Sequence, residues 1–150
     1  MQYIYHNCVV FLLMAALCSC EQKVVNPQTE STPSEWDALN IDDYEIDQRV
    51  NCFCATPPAN RFHKITVRDD KIVSAVDLQD GQVLPEKDFA FFKTISELVE
   101  FVDSIDRDRV AVYDVRIDST HGFPTFIYID FDSRLADEEI GYETKNLHPL

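Results

Sequence analysis

The first nineteen residues contain no Asp, Glu, Lys or Arg, and the chain as a whole carries only 13 basic side chains against 27 acidic ones. The whole formal charge of −14 therefore belongs to residues 20–150. So few Lys and Arg argue against nucleic acid and anionic lipid headgroups as partners, because affinity for either comes largely from cations that neutralise phosphates. Cations and basic protein surfaces fit such a domain better, and the charge also keeps it dispersed. The apolar run at residues 8–17 is ten residues long, too short for a helix across a bilayer, which takes roughly 20. There is no Gly-x-Ser-x-Gly elbow, no EF-hand spacing, no repeat and no low-complexity block, and nothing rises to an enzyme signature. A chain of 150 residues has room for one domain and one core.

What is present at the start is the core of a signal peptide, Cys8 to Leu17, followed by Leu17-Cys18-Ser19-Cys20. That end resembles a bacterial lipobox, with Leu three residues before the modified cysteine and a small residue just before it. The resemblance implies that residues 1–19 are removed and that Cys20 receives diacylglyceryl and then a further acyl chain of the palmitate type, enough for stable anchoring. Cys18 fits less well because Leu17 is large for a cleavage site. Glu21, rather than Asp, after the cysteine leans towards the outer membrane, facing the periplasm. An unlipidated secretory signal or a buried helix is the alternative. Residues 20–33, polar with two prolines, read as a tether with a root-mean-square reach of roughly 20 Å.

The single domain, residues 34–150, reads as α+β, in the order helix, three strands, helix, three strands, with a mostly antiparallel sheet of about six strands and one main amphipathic helix on one face. Ser34 is expected to cap a short helix to about Asn40, with Trp36 and Leu39 on its apolar side. Residues 44–54 alternate, with Tyr44, Ile46, Val50, Cys52 and Cys54 on one face, interrupted by Gln48. Residues 61–68 and 71–78 read as a hairpin about Asp69-Asp70, with Val67 opposite Ile72, Ile65 opposite Ser74 and His63 opposite Val76. Thr94-Ile95-Ser96-Glu97 is a capping box, and Ile95, Leu98, Val99, Val102 and Ile105 form a helical stripe. Strands follow at about 109–117, 125–132 and 139–147.

The spacing of Trp36, Tyr44, Cys52-Phe53-Cys54 and Val67, then Asp118, Gly122, Pro124, Thr125, Asp130, Asp137 and Glu139, resembles an uncharacterised family of bacterial lipoproteins, the domain of unknown function 6174. Ile117, Ser119 and Phe123 stand where that family tends to have Tyr, Pro and Tyr. The resemblance implies the compartment and the fold, and brings no activity or cofactor.

Four groups of residues are candidates for function. Cys52 and Cys54 are the thiols left once Cys20 is lipidated, and in an oxidising compartment a structural disulfide, two buried free thiols and a redox or metal-binding pair all have to be considered. Two residues of regular strand span about 6.7 Å, so a disulfide needs a bend. The redox use lacks a helix N-terminus to lower a thiol pKa, and the metal use lacks enough other ligands, since no spacing demands that His63 lie near the pair. Asp118, His121, Gly122 and Pro124 form a possible loop site, read structurally as a turn in which Asp118 accepts loop amides and Gly122 takes a backbone angle other residues avoid. Asp130, Asp132, Asp137, Glu138 and Glu139 read as a solvated acidic loop, with calcium conceivable but no metal site assigned. With Thr125, Ile127, Ile129 and Phe131 towards the helix, Phe126 and Tyr128 point the other way. They are then a partner surface, unless the Trp36 helix or the Phe89 to Phe92 loop covers them. The expected function is a non-catalytic binding or structural module with an envelope protein as partner; the alternative is a thiol-disulfide protein using Cys52 and Cys54.

Overall fold

The computed structural model describes residues 34–54 and 58–150; the expected leader, Cys20 and the expected tether lie outside them. Six strands form one antiparallel sheet in the order β3-β2-β1-β6-β5-β4. They are β1 (Tyr44–Asn51), β2 (Phe62–Arg68), β3 (Lys71–Asp77), β4 (Val112–Ile117), β5 (Pro124–Asp130) and β6 (Ile140–Pro149), with α1 (Ser34–Asp37) before β1 and α2 (Ile95–Ser104) between β3 and β4. The order along the chain differs from the expected one in two added 3-10 helices, Glu86–Phe91 and Arg107–Arg109, flanking α2. Pro85 opens the first of these, and the Asp106 carboxylate opens the second by accepting the Asp108 amide. Among the described residues no helix is long and apolar enough to cross a membrane.

α2 covers one face of the sheet because its apolar stripe has nowhere else to go. Ile95, Leu98 and Val99 are buried against Ile46, Ile65, Val67, Ile127 and Ile129, with Val102 and Ile105 at the margin. Each such side chain, fully covered, contributes roughly 1.5–3 kcal/mol. The capping box is made: the Thr94 hydroxyl accepts the Glu97 amide at 3.2 Å and the Glu97 carboxylate accepts the Thr94 amide at 2.8 Å. Two polar core residues of β1 fix where α2 begins. The Ile95 amide donates to the Tyr44 hydroxyl at 2.7 Å, and the fully buried Gln48 side chain bonds both the amide and the carbonyl of Lys93. Burial raises the Tyr44 phenol above its ordinary pKa, so it stays neutral.

Several expectations are corrected by this packing. The β2–β3 turn has positive φ at both Asp69 (49°) and Asp70 (53°), the conformation of a two-residue hairpin. Val67 does pair with Ile72, but the register then shifts by one, so that Ile65 faces Ala75 and His63 faces Asp77. Val73 is the extra residue, turned out to solvent, so Ala75 and Asp77 take the buried side instead of Ser74 and Val76. α1 stops at Asp37, Asn40 turns into the left-handed region, and Leu39 is left exposed. Ile127 and Ile129 face α2, whereas Phe131 lies beyond the end of β5, exposed, and Thr125 is the extra residue of a bulge, its hydroxyl bonded to the Arg116 carbonyl.

Candidate functional site

β1 ends at Asn51, so Cys52 and Cys54 are not strand residues as expected but sit where the chain bends into the β1–β2 loop. The bend brings their Cα atoms to 5.2 Å and their sulfurs into bonding contact, inside the separation that a regular strand exceeds. Asn60 clips the base of this loop: its amide donates to the Cys52 carbonyl at 3.2 Å, its side-chain oxygen accepts the Cys52 amide at 3.4 Å, and its own amide reaches Val50 O at 2.8 Å. Between the two sulfurs Phe53 is held out into solvent, 80% exposed. Asn51 pairs with Gly141, so the β5–β6 loop leaves the sheet at this same end. That loop carries exposed Phe131 and Leu135 together with Asp132, Asp137, Glu138 and Glu139.

The Asp118 to Pro124 turn lies at the opposite end of the sheet, where α1 docks. One Asp118 carboxylate oxygen accepts the Thr120 amide at 3.0 Å, the His121 amide at 2.8 Å and sits 3.0 Å from His121 Nδ1. Burial works to raise the Asp118 pKa, but the bonds from His121 and Thr120 outweigh it and hold the group below its ordinary value. Gly122 has φ +71°, and Pro124 opens β5. Phe123 and Trp36 meet edge to face at 6.0 Å, and Trp36 meets Tyr44 at 5.6 Å. The pair Asp118–His121 thus shapes a seat for α1.

Phe126 and Tyr128 are half-buried on the face away from α2. Trp36 and Phe92 lie in the core on the other face, so neither element proposed as a cover reaches them. Phe126 sits across from Arg116, whose guanidinium lies 4.6 Å from the ring centroid, and Tyr128 across from Asp114 with Val112 one pair further on. In the acidic loop, Asp132 is taken by Arg134 through two side-chain bonds of 2.8 and 2.7 Å. Among the described residues no group of three or more His, Cys, Asp or Glu is arranged to hold a metal ion.

Beneath the Cys loop is a charged cluster that the unshifted hairpin register hides. Asp77 is buried; one carboxylate oxygen accepts the Gln79 amide at 2.7 Å, while the other lies 2.9 Å from Arg61 Nη1 and 3.5 Å from His63 Nε2. Asp80 takes the second arm of Arg61 at 3.0 Å. The His63 ring is fully covered, with Nδ1 3.1 Å from the Arg61 carbonyl and Phe92 at 5.0 Å between centroids, so both its nitrogens are engaged and it is no ligand for the Cys pair. Burial lowers its pKa against the opposing pull of the Arg61 carbonyl and Asp77. On the open face, Phe62 is flanked by Arg49 and Lys145.

The model of a family of unknown function, DUF6174, matches residues 28–149. The chain belongs to that family. No curated protein and no solved structure matches it. The DUF6174 domain thus places its candidate residues at three separate points: the Cys pair at one end of the sheet, Asp118, His121, Gly122 and Pro124 at the other, Phe126 and Tyr128 on the open face between. Missed from the sequence were Phe53, Arg49, Arg61, Phe62 and Lys145; alternation about His63 does point Phe62 outward, but its neighbours come from strands far apart in sequence.

Proposed function

We propose that this DUF6174 chain is a lipid-anchored protein of the bacterial cell envelope whose domain is a non-catalytic binding module. The observation that carries the reading is Phe53: a large aromatic, 80% exposed, standing between two bonded cysteines just past the end of β1, with Asn60 bonded to Cys52. Aromatic side chains that are pre-ordered in this way are the usual anchors of protein interfaces, because little entropy is lost when they are buried. The neighbouring acidic loop favours an envelope protein with an apolar slot rimmed by Lys or Arg. Phe126 and Tyr128 extend the contact surface along the open face. The polar motif that most suggests catalysis, Asp118 with His121, is consumed in shaping a turn.

A photo-crosslinking residue at Leu135, at the same end of the sheet as Phe53, should trap a defined envelope protein in intact cells, with yield falling about tenfold in Phe53→Ala. An unchanged yield in that variant would end the reading. The address is tested separately. Cys20 is expected to be the first residue of the native protein and to carry fatty acyl chains, with the protein fractionating with the outer membrane; metabolic labelling with a tagged fatty acid should vanish in Cys20→Ser, and labelling that persists there would overturn it. The second reading, a thiol-disulfide protein using Cys52 and Cys54, has in its favour that the two sulfurs are in bonding contact. Insulin reduction that disappears in Cys52→Ser would favour it.

A further inference from the structure

On the open face of the sheet, side chains of β1, β2 and β6 and of the turn after β3 surround a depression of about 380 Å³. Phe62 is one of its lining residues, with the Lys145 ammonium 3.8 Å and the Arg49 guanidinium 4.7 Å from the ring centroid. Arg61, braced by Asp77 and Asp80, closes one side, and Leu78, 46% exposed, gives an apolar wall. Two cations at one ring, with a third lining the same depression, stand out in a chain of formal charge −14.

Two further observations point to an anion. Among the described residues, the buried side-chain polar atoms with no hydrogen-bond partner are Nε of Arg49 and Nε of Arg61, and both residues line this same depression. Buried N–H groups without an acceptor are uncommon in folded proteins, and these two mark both guanidiniums at the depression as incompletely satisfied within the chain. Second, Arg49 is paired with Glu143 and Arg61 with Asp77 and Asp80, but Lys145 makes no ion pair among the described residues and rests its charge on Phe62 alone.

We infer that this depression binds a small ligand bearing one carboxylate on an apolar body, the carboxylate on Lys145 and the arginine edges and the body against Phe62 and Leu78. Arg49 is already paired with Glu143 and Arg61 with Asp77 and Asp80, so these carboxylates repel a dianion such as a phosphate monoester more than a single carboxylate taken up by Lys145, unpaired among the described residues. The site is independent of the Phe53 reading.

The test is a titration of the isotope-labelled full chain with phenylacetate, followed by NMR. Saturable shifts are expected at the side-chain amides of Asn60 and Gln79, which line the depression, with a dissociation constant on the order of 1 mM. Lys145→Gln, an exposed position, should weaken binding about tenfold, while Lys87→Gln, also exposed but away from the depression, should leave it unchanged. Neutral phenylacetamide should give no saturable shift and phenyl phosphate a weaker one. The inference is overturned by the absence of saturation up to about 20 mM phenylacetate, by equal binding of the amide, by Lys145→Gln binding as the parent does, or by phenyl phosphate binding more tightly.

Discussion

Gly122→Ala is expected to destabilise the domain by about 3–5 kcal/mol, while Gly81→Ala costs only about 1–2 kcal/mol. The two glycines share a backbone conformation, φ +71° and φ +75°, so both variants bear the penalty of an L side chain in the left-handed region. They differ in what the new methyl group meets. At Gly81 nothing lies within 4 Å, whereas at Gly122 it would stand 2.6 Å from Glu35 Cβ and 3.4 Å from the Trp36 amide nitrogen. Cβ and main chain cannot swing aside as the far end of a side chain can, so α1 must shift and with it Trp36, which is 3% exposed and wedged between Tyr44 and Phe123. Urea denaturation of both variants at neutral pH measures the difference; equal losses would mean that α1 is not seated on this turn.

That seat explains what was legible in the sequence and what was not. Local chemistry was readable: Thr94 with Glu97, the stripe on α2, and Asp69-Asp70 as a hairpin turn are signals contained within a dozen residues. The glycine of the Asp118 turn was recognisable as a turn residue, but its second reason, the approach of Glu35, depends on a contact between residues 87 positions apart. Gln48 showed as a break in an apolar face, and its partner, the main chain of Lys93, lies 45 residues on. The Cys pair looked awkward because the strand was extended through Cys54; once β1 ends at Asn51 the difficulty disappears. The β2–β3 register was lost at Val73, because a bulge made by an ordinary β-branched residue carries no glycine or proline to announce it. One slipped residue replaces Val76 by Asp77 beside His63, and so conceals the whole charged cluster.

Asp77→Ala should expose that cluster's worth, with an expected loss of about 2–4 kcal/mol. The carboxylate caps the turn through the Gln79 amide and pairs with Arg61 and His63, and its removal leaves the Gln79 amide and His63 Nε2 without this acceptor and Arg61 with Asp80 alone. Arg61 is one-third exposed and can turn back to water, which keeps the loss below that of a fully buried pair; His63, 1% exposed, cannot. Asp77→Asn, which preserves the shape and the turn cap, should lose less than the alanine variant. The histidine adds a dependence on pH. Its pKa in the folded state lies below the ordinary 6.5, chiefly through burial, so below that value the unfolded chain binds a proton that the folded one refuses. Stability is therefore complete above pH 6.5 and falls as the pH drops towards the folded value. The lowered carboxylates Asp43, Asp80, Asp118 and Asp132 act in the same sense only below their ordinary 3.8, well under the interval from about pH 7 to 5 in which His63 acts. In Asp77→Ala the nearby negative charge that draws a proton to His63 is gone, so the loss over that interval should steepen, whereas in His63→Leu it should flatten. Denaturation curves of the three proteins at pH 7 and pH 5 decide it, and a wild-type slope that persists in His63→Leu would show that another group sets the acid response.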